Sequence, residues 1–208
     1  MKKYIIFTIL LVAFVSKGFA QDQDLNYIPF YEKSQFAASW EINIPLGDNF
    51  ISKTSYNGFK LEYKYFNTQQ TAIGISMAWS TLEEYIAEDV YISDNGAIST
   101  DMVRQIRQLP ILVTYTKFFA DEGVRPYVNI GVGANYAQAL IFFNTYQYSD
   151  YSWGFAARPE IGLQKELNDG VSIFANVSYN YSTNSFDLTS ELDNLQTLGF
   201  GLGLVWKE

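Results

Sequence analysis

The chain has 208 residues, enough for one domain, with no Cys, no His and a formal net charge of −8. Without those two residue types there is no disulfide framework, no thiolate or imidazole metal site, no His-based triad and no thiol nucleophile. The acidic surplus repels nucleic acid, and 16 Tyr and 16 Phe suit a strand-rich fold.

The chain opens on Met1-Lys2-Lys3, a basic start, followed by an apolar run from Tyr4 to Val15. Gly18-Phe19-Ala20 then places small residues at the −3 and −1 positions of a cut before Gln21. This is the pattern of a signal peptide over residues 1–20, and the run is too short to cross a bilayer as a helix. An uncleaved anchor helix is the rival reading. Removal of these 20 residues takes three of the 14 basic residues and no acid, leaving 11 against 22 and a net charge of −11. Residues 21–34 read as a periplasmic leader, and residues 35–207 as the folded domain.

Eight segments then alternate with period two, the mark of strands with two unlike faces. Segment 35–45 sets Phe36, Ala38, Trp40, Ile42 and Ile44 against Gln35, Ala37, Ser39, Glu41 and Asn43. Segment 57–66 sets Phe59, Leu61, Tyr63 and Tyr65 against Gly58, Lys60, Glu62 and Lys64. Segment 70–82 sets Ile73, Ile75, Met77 and Trp79 against Ala72, Gly74, Ser76 and Ala78. In 105–119 the large face is Leu109, Ile111, Val113 and Tyr115, with Lys117 near its end and a less regular opposite face. Segment 125–137 sets Val128, Ile130, Val132 and Tyr136 against Tyr127, Asn129, Gly131, Gly133 and Asn135. Segment 151–164 sets Trp153, Phe155, Ile161 and Leu163 against Gly154, Arg158, Glu160 and Gly162. Segments 171–181 and 195–207 continue the pattern, with Val177, Tyr179 and Tyr181 in one, and Phe200, Leu202, Leu204 and Trp206 in the other.

The connections alternate in length. Those around 67–69, 120–124 and 166–170 are short, the last holding the hairpin signal Asp169-Gly170. Those over 46–56, 83–104, 138–150 and 182–194 are longer and read as loops. Short turns at one end and long loops at the other define an all-β fold: a closed antiparallel up-and-down transmembrane barrel of about eight strands, with both termini on the short-turn, periplasmic side.

Volume and charge decide which face points inward. An eight-stranded barrel barely accommodates its own side chains, so the face of small residues must line it. The same face carries Glu41, Lys60, Glu62, Lys64, Arg158 and Glu160, which are expected to form a connected charge network in the lumen. A basic residue on the lipid face near the midplane would cost about 2–4 kcal/mol. Aromatic residues gather near the strand ends. Phe36, Tyr65, Phe119 and Trp206 are expected at the periplasmic edge, and Trp79, Tyr136, Trp153 and Tyr181 at the outer edge, as two interfacial girdles. Pro110 and Pro159 fall inside strands of a barrel with no free edge, so each implies a bulge or a local break.

Three stretches carry a family resemblance: Gln108-Leu109-Pro110-Ile111-Leu112-Val113-Thr114-Tyr115, Arg125-Pro126-Tyr127-Val128-Asn129-Ile130-Gly131-Val132-Gly133-Ala134-Asn135-Tyr136, and Leu198-Gly199-Phe200-Gly201-Leu202-Gly203-Leu204-Val205-Trp206. With them the chain resembles the small outer-membrane β-barrel family of Bacteroidetes-type bacteria, loosely the porin family, over residues 33–207. The resemblance is architectural and implies a place in the outer membrane; it names no activity. The chain ends in Lys207-Glu208 rather than the terminal aromatic of many outer-membrane strands.

Little chemistry remains. Glu41, Glu62 and Glu160 could supply a carboxylate-only mechanism, but inner ion pairs account for them more simply. The Gly131-Val132-Gly133 stretch alternates within a strand and opens no helix, so it is not a phosphate cradle. The acidic stretch 83–91 and the Tyr146, Tyr148 and Tyr151 cluster read as surface loops able to contact a partner. The expected protein is a non-enzymatic barrel without cofactor or metal, supporting the envelope or presenting loops for binding. Its expected partners are outer-membrane lipid, the outer-membrane assembly machinery and an unspecified surface ligand. A narrow passive pore and an accessory of secretion or envelope assembly are the alternatives, and a soluble ligand-binding barrel is the structural rival.

Overall fold

A computed structural model of the chain describes residues 33–47, 50–93, 96–143, 146–168, 170–186 and 194–207. The expected signal segment 1–20 and nearly all of the expected leader 21–34 lie outside the described residues.

Eight strands follow one another: β1 (Ser34–Pro45), β2 (Ser55–Thr68), β3 (Thr71–Ser93), β4 (Gly96–Phe118), β5 (Val124–Phe143), β6 (Tyr146–Asn168), β7 (Val171–Ser182) and β8 (Leu195–Lys207). Each pairs antiparallel with the next, and β1 pairs with β8, so the sheet closes on itself. Closure leaves no edge in the barrel wall for another chain to pair with. The seam runs from Gln35↔Lys207 to Pro45↔Thr197 without a register shift. The turns between β2 and β3, β4 and β5, and β6 and β7 are short and gather at the end where β1 begins and β8 finishes. In the β4–β5 turn Gly123 has φ of 72°, a left-handed conformation open to Gly at little cost.

Two stretches expected as loops are strand. β3 and β4 stay paired out to Ser93↔Gly96, and β5 and β6 out to Phe143↔Tyr146. β2, by contrast, accompanies β3 only as far as Gly58↔Ser80, and β7 accompanies β6 only as far as Ser182↔Ala156. Parts of β3 to β6 therefore rise beyond the barrel wall as an extension of the sheet. The β-branched and aromatic residues Tyr85, Ile86, Val90, Thr100 and Val103 favour this. Alternation fails there for an identifiable reason. A register shift between Ile86 and Asp89 moves the face parity, while Leu140-Ile141-Phe142-Phe143 is apolar at every position.

The prolines produce local breaks, not bulges. The β3–β4 ladder is recorded at Met77↔Ile111 and again at Ser80↔Gln108 in the same register, with Pro110 in the gap. The β6–β7 ladder likewise skips from Ala157↔Tyr181 to Glu160↔Ser178 across Pro159. A missing N–H removes a rung without displacing the chain. Register shifts occur elsewhere, at Glu41/Asn43, Phe66/Thr68, Ile86/Asp89 and Glu166/Asn168.

Candidate functional site: the closed lumen

The wall is inverted relative to a water-soluble protein. Phe59, Tyr63 and Tyr65 of β2 are exposed, and the alternating Lys60, Glu62 and Lys64 are buried. Ile73, Ile75 and Met77 of β3, Ile111 and Val113 of β4, Val128, Ile130 and Val132 of β5, and Leu202 and Leu204 of β8 extend the apolar belt around the outside. Such a continuous belt demands a hydrocarbon surrounding, because soluble proteins do not leave contiguous apolar patches of this extent in water. The soluble-barrel alternative would need the opposite arrangement.

The inner charges form one chain across the lumen. Arg158 of β6 donates from Nη1 to Glu41 Oε2 of β1 at 3.2 Å, and from Nη2 to Glu41 Oε1. Arg158 Nε lies 3.5 Å from Glu160 Oε2, an ion-pair contact. Lys60 of β2 donates from Nζ to Glu160 Oε2 at 2.7 Å and lies 3.5 Å from Glu62, which in turn lies 3.4 Å from Lys64. The three acids and three bases balance. Neutral donors fill the remaining acceptor sites: Tyr127 Oη donates to Glu160 Oε1 at 2.9 Å and Asn129 Nδ2 to Glu62 Oε1 at 3.1 Å, while Thr116 Oγ1 donates to Asn129 Oδ1 at 3.1 Å. The ion pairs tie β1 and β2 to β6 through the interior rather than along the wall. A buried ion pair persists in low dielectric only when its lone pairs are answered; here each carboxylate oxygen meets a cation or a donor, while Arg158 Nε has its ion-pair contact and no hydrogen bond.

Aromatic residues close the short-turn end beneath the charges. Phe66, Phe118 and Tyr127 are buried, with ring centroids 5.7 Å apart for the first pair and 5.5 Å for the second. Lys64 Nζ lies 4.9 Å from the Tyr127 ring centroid, and the Arg125 guanidinium lies 4.3 Å from that of Phe118. Arg125 also donates to the carbonyls of Ala120 and Gln69, joining two of the short turns. On the other side of the charges comes an amide layer. Asn135 Nδ2 donates to Ser182 Oγ at 3.1 Å and to Asn184 Oδ1 at 2.9 Å, and Asn184 Nδ2 donates to the Asn135 and Ser152 carbonyls. Between amides and charges lies a cavity of about 20 Å³ lined by Gln108, Asn135, Arg158, Asn180 and Ser182, among others. That is room for about one water and no solute. An apolar cap of Phe50, Ile51, Leu82, Ile106, Phe186 and Leu195 then fills the mouth.

Of the residues expected at the membrane interfaces, Phe36, Tyr65, Trp79, Phe119, Trp153 and Trp206 are exposed, and Tyr136 and Tyr181 are half-buried. Phe36 packs on Trp206 at 5.9 Å at the short-turn end. Tyr136 packs on Trp153 at 5.2 Å and on Tyr151 at 6.2 Å at the other. Lys117 reaches back to Gln70 in the β2–β3 turn, with Nζ donating to Oε1 at 3.1 Å, which keeps its ammonium at the rim.

Several residues of the closure escaped the sequence reading. Phe66 and Phe118 sit at inward-parity positions, so face parity alone could have found them. Phe50 and Ile51 lie in a connection with no periodicity, and nothing local marks them as mouth residues. Among the described residues no group of His, Cys, Asp or Glu is arranged to hold a metal ion.

No family model matches the sequence, and no curated protein matches it. Solved structures do match the fold. Ail, the attachment invasion locus protein of Yersinia pestis, is 15% identical with a TM-score of 0.53, over 86% of this chain and 100% of that one. Neisserial surface protein A is 13% identical with a TM-score of 0.53, over 86% of this chain and 98% of its own. The outer membrane protein OprG from Pseudomonas aeruginosa is 13% identical with a TM-score of 0.50, over 86% and 97%. The architecture is thus that of small outer-membrane β-barrels.

Proposed function

We propose that this chain is a non-enzymatic outer-membrane barrel with a sealed lumen, which stabilises the envelope or displays its sheet extension and loops to a surface partner. The observation that carries this reading is the balanced chain of buried ion pairs from Glu41 through Arg158, Glu160, Lys60 and Glu62 to Lys64. It crosses the space a permeant ion would need, with aromatic residues on one side and an apolar cap on the other. The exposed Tyr146, Tyr148 and Tyr151 give the β5–β6 hairpin a contact surface of the kind that binding loops use. Membership of the Bacteroidetes-type family is proposed on the three stretches that build β4, β5 and β8. The names of Ail and of the Neisserial surface protein, one for attachment and invasion and the other for the surface, agree with a display role.

The test is the conductance of refolded residues 21–208 in a planar bilayer. A sealed barrel gives no stable current steps. Steps from the unmodified protein would replace this reading with that of a narrow passive pore.

A further inference from the structure

The mouth cap and the charge layer have no residue in common. The cap depends on Phe50 and Ile51, in the strap between β1 and β2, which are buried in one cluster with Leu82, Ile106 and Phe186. The strap is gripped from the β3–β4 extension. Ser52 donates to the Glu84 carboxylate twice, from its backbone N at 2.7 Å and from Oγ at 3.0 Å. Arg104 stands over the Phe50 ring at 5.1 Å, with Nη1 3.5 Å from the Phe50 carbonyl oxygen. Glu84 and Arg104 are cross-strand partners, so one rung of the ladder holds both ends of residues 50–52. Gln108 Nε2 and Asn135 Oδ1 are buried without a hydrogen-bond partner and belong to residues that border the small cavity, which meets the cap at Leu195.

We propose that residues 50–52 form a clamped lid: released from Glu84 and Arg104, the lid lifts and opens the upper lumen, above the charge layer, to the outside, and the charge layer keeps the lumen shut below. This rests on the sealed-lumen reading and adds a second, separately movable seal above it. The grip is polar and lies at the solvent boundary, whereas the residues it holds are apolar and buried. Burial of Phe50 and Ile51 holds the closed position, and the rim contacts add to it and fix the strap in place.

The absence of Cys makes the test direct. Ala137→Cys places a thiol in the cap, and Ala37→Cys places one on the short-turn side of the Glu41–Arg158 pair. Each is exposed, in vesicles, to a membrane-impermeant thiol reagent on the mouth side. Ala137→Cys should react slowly in the parent chain. With Glu84→Gln alone, or Arg104→Gln alone, it should react about tenfold faster, the change expected from losing one charge-assisted hydrogen bond that favours the closed state. Ala37→Cys should stay unreactive in both backgrounds. Ala139→Cys is a second cap reporter, and circular dichroism verifies that each variant keeps its strands. Equal rates at Ala137→Cys with and without the clamp would overturn the lid. Acceleration at Ala37→Cys from the mouth side would leave the lid standing and overturn the sealed lumen instead.

Discussion

The two faces of β2 are made of adjacent residues and live in opposite solvents. Phe59, Tyr63 and Tyr65 face outward and are exposed; Lys60, Glu62 and Lys64 face inward and are buried. On the outer face stability comes from having no charge at all, and on the inner face from having every charge answered. Opposite substitutions should therefore be harmful on the two sides of one wall: loss of charge inside and gain of charge outside. Unfolding by urea from lipid vesicles measures both.

The largest effect is expected inside. Glu160 takes hydrogen bonds from Lys60 and Tyr127 and lies beside Arg158. Glu160→Ala leaves two buried cations short of an anion and should cost about 3–5 kcal/mol, as breaking a buried pair does. A cost below 1 kcal/mol would mean that water reaches the layer. Next comes the outer face. Val113 is 60% exposed and pairs with Ile75 and Val132 in the belt. Val113→Arg should cost about 2–4 kcal/mol, and no penalty there would place that row outside the hydrocarbon.

A smaller contrast lies within the inner face. A Cβ at Gly203 would stand 2.2 Å from the Ala38 carbonyl oxygen and 2.7 Å from Ser39 Cα, both backbone. At Gly201 the nearest atoms all belong to the Asn176 side-chain amide, which can move aside. Gly203→Ala should cost about 1–3 kcal/mol from overpacking, and Gly201→Ala less; the reverse order in the same unfolding assay would contradict the wall geometry. The smallest effect is expected at the rim. Lys207 Nζ donates to Glu166 Oε1 at 2.8 Å, and the Glu166 side chain is 41% exposed. Removing the charge of the exposed partner, Glu166→Gln, should change stability by less than about 1 kcal/mol, and the difference should fade in added salt.

Part of this was legible in the residue pattern. Strict alternation in 35–45, 57–66 and 70–82 marks strands and sorts their faces, because side chains of a strand alternate whatever surrounds it. The volume limit of a narrow barrel then assigns the small face inward before any contact is known. Alternation could not carry the reading past Leu82. The register shift between Ile86 and Asp89 and the apolar run 140–143 hide strands that only cross-strand pairing reveals. The prolines announced an interruption but not its form, since a lost rung and an inserted residue look alike in sequence.

By itself, the sequence determined eight alternating segments, the inward face and the identity of the six inner charges, since each depends on local periodicity and side-chain size. Only the tertiary structure decided which charge meets which. Glu41 and Arg158 are 117 positions apart, and Lys60 and Glu160 are 100 apart. Their meeting depends on closure of the sheet through β1 and β8 and on the stagger of every strand between. The lid was decided there too. Phe50 and Ile51 are an ordinary apolar pair in a connecting segment until the mouth, built by residues from four other elements, gives them somewhere to be buried.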